Sequence, residues 1–144
     1  MPSATYRHVA PTPLTPAELW SLLQAPETWA SIGPVQEVWD ARHENGYLAG
    51  FKWSTAVGHT RYEGTAEAKV IDDGSKMTLH LTTVELVGAL TAEVGQDGAA
   101  SRLGVTLAIE SRGMLASLFF PAISRAVGSG LPEQVDDFAA SLTS

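Results

Sequence analysis

The 144-residue chain carries 9 Lys and Arg against 16 Asp and Glu, a formal charge of −7, and has no cysteine. Its length predicts one domain, residues 1–144, with a core that needs neither disulfides nor a structural metal, and its acidity argues against a phosphate-backbone partner, so no nucleic-acid binding is expected. Hydrophobic residues make up 44% of the chain, but 20 of them are alanine and a further 13 residues are glycine, so much of the apolar inventory is too small to fill space.

Residues Thr5–Ala10 alternate and predict a first strand, with the faces of Tyr6 and His8 against Arg7 and Val9 left open. Thr15-Pro16-Ala17-Glu18 supplies an N-cap, a proline at the first helical position and a reciprocal carboxylate, a capping box that opens a short helix through Leu23. Pro26 restarts a second helical segment, Glu27 to Ile32, which Gly33-Pro34 ends. The first residues hold no apolar secretion segment and no run approaches the ~18 apolar residues of a membrane span, so a cytoplasmic protein without a stable membrane anchor is expected.

From Val35 to Glu110 turn signals at Asn45-Gly46, Gly58-His59, Asp72–Ser75, Val87-Gly88 and Asp97-Gly98 divide the chain into six meandering strands. A Gly58-His59 turn pairs Val57 with Thr60, Thr55 with Tyr62 and Trp53 with Gly64. A turn at Asp73-Gly74 places Val70 opposite Met77, Ala68 opposite Leu79, Ala66 opposite Leu81, Gly64 opposite Thr83 and Tyr62 opposite Glu85. The next two turns add Leu90, Ala92 and Val94, then Ser101, Leu103, Val105 and Leu107. Cross-strand partners share a face, and all four hairpins put the apolar residues on one face and Lys52, Arg61, Glu63, Glu67, Lys69, His80 and Arg102 on the other. A sheet wetted on one side needs a helix on the other. Residues 114–143 supply it, with Leu115, Leu118, Phe119, Ile123, Val127, Leu131, Val135, Phe138 and Leu142 near a 3.6-residue period, and Gly128, Gly130 and Pro132 predicting a kink or break near 128–132.

This element order resembles the helix-grip fold of the START-like, or SRPBCC, superfamily. Thr15-Pro-Ala-Glu-Leu-Trp20 looks like its first-helix entry, and Trp29-Ala-Ser-Ile-Gly-Pro-Val-Gln-Glu-Val38 like its second helix running into the second strand. Phe120-Pro-Ala-Ile-Ser-Arg125 is similar to the bacterial polyketide cyclase/dehydrase and lipid-transport branch. The resemblance spans essentially the whole chain. It implies an α+β fold, β-α-α-β6-α, in which a seven-stranded curved antiparallel sheet wraps a long C-terminal helix, and a cavity between them that takes a lipid, isoprenoid or polyketide-like molecule.

Residues expected to line that cavity are Phe51, Trp53, Thr55, Tyr62, Gly64 and Ala66, then Leu81, Thr83, Glu85, Leu90 and Leu103, with Phe119 and Ile123 from the helix and Trp39 from the second strand. Gly64, Ala66 and Ala68 make a shallow floor between the taller Trp53, Leu79, Leu81 and Leu103. The result is either an open hollow or a socket that Phe119, Ile123 and Phe138 fill. Tyr62 and Glu85, paired across a hairpin, are the candidate catalytic groups of a cyclase or dehydrase, because desolvation raises a carboxyl's pKa toward general acid-base use; at a wet strand end the same pair is simply hydrated. Arg125 is a candidate for an anionic ligand head, or a solvated helix edge. The four histidines, His8, His43, His59 and His80, lack metal-ligand spacing, and no Ser-His-Asp set or phosphate loop is present, so neither a metal nor a cofactor is expected. Binding without catalysis is the first expectation, a cyclase/dehydrase enzyme the alternative, and an interaction module the third; monomer and homodimer are both open.

Overall fold

The computed structural model describes residues 3–32, 35–57, 60–84, 86–111, 125 and 130–142. Seven strands form one antiparallel sheet: β1 (Ser3–Thr12), β2 (Glu37–Glu44), β3 (Tyr47–Val57), β4 (Thr60–Asp72), β5 (Lys76–Thr82), β6 (Leu86–Asp97) and β7 (Ala100–Ser111). Their order is β1-β7-β6-β5-β4-β3-β2, so β2 to β7 are the expected meander and β1 closes onto its last strand. The helices α1 (Pro16–Leu22) and α2 (Pro26–Ile32) lie between the two edge strands in sequence, and α3 (Leu131–Ser141) follows. The sheet is curved but not closed, which makes this an α+β helix-grip fold.

Local chemistry explains the helical corner. The Thr15 hydroxyl accepts from the Glu18 N–H at 3.2 Å while the Glu18 carboxylate accepts from the Thr15 N–H at 3.0 Å, with Pro16 in the first turn. The carbonyls freed where α1 ends are taken by side chains of α2: the Thr28 hydroxyl donates to Leu22 O at 2.7 Å and the fully buried Trp29 indole donates to Leu23 O at 2.9 Å. Gln24 then fastens this corner to the β2–β3 hairpin, accepting from the Leu48 N–H at 3.0 Å, while its carbonyl meets the His43 ring at 2.8 Å.

The β3–β4 register is as expected from Val57↔Thr60 through Trp53↔Gly64 to Phe51↔Ala66, although residues 58 and 59 themselves lie outside the described residues. Asn45 and Gly46, at φ 54° and 82°, make the turn that their positive dihedrals suit. Two expectations need correction. The stretch Val87-Gly88 is not a turn but paired strand, Thr82↔Val87 and Leu81↔Gly88. The chain reverses at residues 83–86, where Thr83 N–H donates to Leu86 O at 2.8 Å and the Thr83 hydroxyl accepts from Leu86 N–H at 2.9 Å. The β6–β7 turn sits at Gly98-Ala99, since Asp97 pairs with Ala100. Both turns are displaced in a way that keeps residue parity, so β6 and β7 still show their expected faces.

That face is continuous across the sheet. Ala4, Ile109, Gly88, Leu81, Ala66 and Phe51 form one row, and Tyr6, Leu107, Leu90, Leu79 and Ala68 the next. His8, Val105, Ala92, Met77 and Val70 form a third. Tyr6 and His8 therefore point to the core side and Arg7 and Val9 away from it. The core joins these rows to Leu19, Trp20, Leu23, Trp29 and Ile32 of the first two helices and to Leu131, Val135 and Ala139 of α3. His8 Nε2 lies 2.8 Å from Asp136 Oδ1 and ties β1 to α3.

Gly130 caps α3 without a side-chain hydrogen bond, and Pro132 lies in its first turn. This start falls inside the 128–132 interval where an interruption is expected. Residues 112–124 and 126–129, which include Phe119 and Ile123, lie outside the described residues, so the proposed run of a long helix before α3 is not part of this description.

Candidate functional site

The sequence places the candidate site on the core face of the sheet, and most of the expected lining is there. Phe51, Trp53, Thr55, Ala66, Leu81, Leu90 and Leu103 are all buried on that face. Trp53 is held in orientation by its indole N–H, which donates to Thr65 O at 2.9 Å. No Asp, Glu, Lys or Arg occurs in the three described rows. Besides Tyr6 and His8 on the edge strand β1, the face carries polar groups at its ends: Thr12 and Ser101, whose hydroxyls are 2.5 Å apart, at one end, and Thr55, Tyr62 and Thr83 toward the other.

Tyr62 and Thr83 meet at a surface depression of 240 Å³ shared with Thr60, Arg61, Glu63 and Val84. Arg61 there is engaged by Glu63 at 2.7 Å and Glu37 at 3.5 Å, and it donates to the Ser54 hydroxyl at 3.3 Å. This is a rim with a neutralised cation. The Thr83 hydroxyl also shapes the β5–β6 turn, where Val84 projects with 90% of its surface exposed.

Three features of the expected site are corrected by the geometry. Trp39 pairs with Lys52, and Lys52 with Thr65, so the indole belongs to the outer face; Val38, opposite Trp53, is the β2 residue on the core side. Gly64 does not leave a hollow. A methyl group added there would collide with the Thr82 carbonyl, its carbon 2.9 Å away, and with Thr83 Cγ2 at 3.0 Å, so the space beside Gly64 is filled by the backbone of the neighbouring strand. The β4–β5 pairing ends at Thr65↔Thr82 and the chain turns at once, so the ladder stops before it reaches Tyr62; Glu85 lies outside the described residues.

Elsewhere the titratable groups read as structure. Glu18 is held below the ordinary carboxylate range, chiefly by the Thr15 backbone N–H and then by its hydroxyl. Tyr47 donates to Asp73 at 2.9 Å, and that bond together with the carboxylate's charge raises the phenol above its usual value, latching β3 to the β4–β5 turn. His80 is on the outer face beside Ala89, Ala108 and Thr5, in an open trough of 420 Å³. Arg125 is exposed. Among the described residues no group of three His, Asp or Glu is placed to hold a metal ion, and no helix is long and apolar enough to cross a membrane.

The sequence reading missed Gln134. It lies on α3 between Leu131 and Phe138, and its carboxamide oxygen is buried with no hydrogen-bond partner among the described residues. Its signal was its position, three residues after one apolar residue of the helix and four before another.

No family model matches this chain, and no curated protein matches it. Solved structures do. The protein TTHA0849 from Thermus thermophilus superposes with a TM-score of 0.65 at 18% identity, over 96% of this chain and 100% of that one. A START superfamily protein from Mycobacterium smegmatis gives 0.62 at 11% identity, over 88% and 96%. The ZhuI aromatase/cyclase from Streptomyces sp. R1128 gives 0.62 at 14% identity, over 97% and 84%. The fold is therefore the START-like helix-grip fold.

Proposed function

We propose that residues 1–144 form a single helix-grip domain that binds one apolar or amphipathic small molecule, of the lipid, isoprenoid or polyketide-like class, between the core face of the sheet and the C-terminal helix. The observation that carries this reading is an apolar face without Asp, Glu, Lys or Arg, running across β3 to β7 through Ile109, Leu81, Phe51, Leu107, Leu90 and Leu79, with its hydroxyls at the strand ends and, as Tyr6, on the edge strand β1. Such a surface binds by burial of apolar area and uses few polar groups for orientation. Phe51, Trp53, Ala66, Leu81, Leu90 and Leu103 form the floor, and Thr55, Tyr62 and Thr83 the polar rim. The likeness to a START superfamily protein and to an aromatase/cyclase supports the choice of ligand class. The rim is open and its described cation, Arg61, is paired, so an amphipathic ligand would keep a neutral head there.

Native mass spectrometry of the purified protein, followed by extraction and identification of the bound species, tests this. A stoichiometric apolar mass is expected. A ligand present at about 100 times its Kd adds ~2.7 kcal/mol of stability, a Tm rise of roughly 9 °C for a chain of this length. Absence of any bound mass, together with no thermal shift from a panel of lipids, isoprenoids and aromatic polyketides, refutes the reading.

A further inference from the structure

We propose that the cleft between α1 and the end of α3 is a second binding site, separate from the core face, for a small ligand that joins a protonated amine to an apolar body. The cleft has a volume of 580 Å³, ample for one such molecule. Leu14, Leu22, Ala25 and Leu142 give it apolar walls, and Glu18, Ser21 and Ser141 a polar edge. None of the floor or rim residues of the core-face site lines it, so the two sites are independent. Helical spacing builds one wall. Glu18, Ser21 and Leu22 follow one another at i, i+3 and i+4, with Ala25 in the turn after α1, while Leu19, Trp20 and Leu23 are buried in the core. Thus α1 turns one face to the core and presents another, partly apolar, to the cleft.

Charge decides the ligand. Glu18 is the charged side chain of the cleft, and the capping box holds it below the ordinary carboxylate range, so it is an anion at neutral pH. The last turns of α1 and α3 both border the cleft, and neither carries a basic residue. The negative ends of two helix dipoles therefore lie there without a cation to meet them. Residues 13–32 and 131–142 contain no Lys, Arg or His, but they hold Glu18, Glu27, Glu133, Asp136 and Asp137. Asp136 is engaged by His8, whereas Asp137 stands one turn before Ser141 on the same side of α3. The cations Lys52, Arg61, Lys69 and Arg102 are all on the outer face of the sheet. An uncharged ligand gains only burial from this arrangement and an anionic one is repelled, while an ammonium gains attraction as well.

The test titrates the full, isotope-labelled chain with naphthylmethylamine, protonated at neutral pH, and with its uncharged counterpart naphthylmethanol, and reads backbone amide shifts by NMR. Shifts are expected at Ser21, Leu22, Ala25, Ser141 and Leu142, with the amine bound roughly 2- to 5-fold more tightly than the alcohol at low ionic strength. The preference should fall toward 1 in Glu18→Gln, where glutamine still closes the capping box, and in wild type at about 1 M salt, where the screening length is ~3 Å. It should survive in Glu67→Gln, which removes an equal charge from the outer face. Ser21→Trp, which fills the cleft from an exposed helix position, should abolish the cleft shifts with both ligands. The amides of Phe51, Leu81 and Leu90 report the core face separately, so shifts confined to them overturn the cleft site and leave the binding function standing. Equal affinity of amine and alcohol at the cleft, or a preference unchanged in Glu18→Gln, overturns it. Concentration-dependent shifts of the cleft amides without ligand, with a dimer in sedimentation, overturn it too, because a second copy of the chain then covers the cleft.

Discussion

Replacing Gly64 with alanine separates two accounts of why this strand carries small residues. If Gly64 kept ligand space open, the added methyl group would shrink the pocket, weaken binding and leave the fold intact. The structure argues otherwise: the methyl position coincides with the Thr82 carbonyl, with the carbonyl carbon at 2.9 Å and Thr83 Cγ2 at 3.0 Å. Backbone atoms cannot rotate aside, so β5 must move off β4 at the last rung of their ladder, Thr65↔Thr82. Overpacking of this kind costs about 1–3 kcal/mol, and disturbing a ladder hydrogen bond adds ~1 kcal/mol. The expected loss is about 2–4 kcal/mol, or roughly 7–13 °C in Tm for a chain whose unfolding entropy is near 0.3 kcal/mol/K. Gly95→Ala is the control. It lies in β6 with nothing within 4 Å of the added methyl, so the reduced freedom of the unfolded chain should make it neutral or stabilising by up to about 1 kcal/mol. Urea unfolding followed by tryptophan fluorescence measures both. Equal midpoints for the two variants would refute the argument from backbone contact, and a Gly64→Ala protein that is stable but deaf to ligand would restore the account in which Gly64 opens a hollow.

The opposite faces of two aromatic residues give a second prediction. Phe51→Ala, on the core face, should lower stability by about 3–5 kcal/mol and weaken uptake of anilinonaphthalene sulfonate, whereas Trp39→Ala, on the outer face beside Lys52, should leave probe affinity unchanged in a fluorescence titration; loss of binding on changing Trp39 would contradict the register. At the first helix, Thr15→Ala removes the N-cap acceptor and should cost ~1 kcal/mol in chemical unfolding. Glu18 is held below its usual pKa by the same box, so its share of stability is complete above the ordinary carboxylate value and disappears as pH falls through the depressed one. The stability gap between wild type and Glu18→Gln should accordingly close in acid, and a gap that stays constant there would show that the carboxylate does not carry it.

The distribution of faces was legible in the sequence because it depends on parity and not on exact register. The β5–β6 turn falls at residues 83–86 where Val87-Gly88 was expected, yet Leu90, Ala92 and Val94 keep the core side, since the displacement changes each pairing by an even count. What parity does not protect is the identity of partners. Tyr62 and Glu85 looked like a pair only if β5 ran on beyond Thr82; the Thr83 hydroxyl, bonded to both the N–H and the carbonyl of Leu86, stops it there. Side-chain hydroxyls that close turns in this way compete with strand extension, and spacing alone does not announce them. Trp39 failed for a different reason. Its aromatic character suggested a pocket, while plain alternation from Val38 already put it on the side of Lys52, and the irregular pairing that follows, with Asp40 at φ 52°, bends β2 beyond it.

The abundance of small residues now has a mechanical explanation. Gly50 and Gly64 lie on adjacent strands, and at each the position of a side chain is taken by a carbonyl oxygen of the next strand, Ala66 O for the first and Thr82 O for the second. Backbones approach so closely only where a sheet is sharply bent, and the residue without a Cβ is the one that permits it. Ala66, two residues along β4 from Gly64 and on the same face, is wholly buried. Small residues thus act first on the shape of the sheet, letting β3, β4 and β5 approach closely, and only through that shape on the space enclosed. The ligand site proposed for this protein would then be set by curvature and by the residues standing on the curved face, Phe51, Trp53, Leu81 and Leu90. It follows that substitutions at the glycines should alter ligand capacity only together with stability, whereas substitutions at the large residues can alter which ligand fits while the sheet keeps its form.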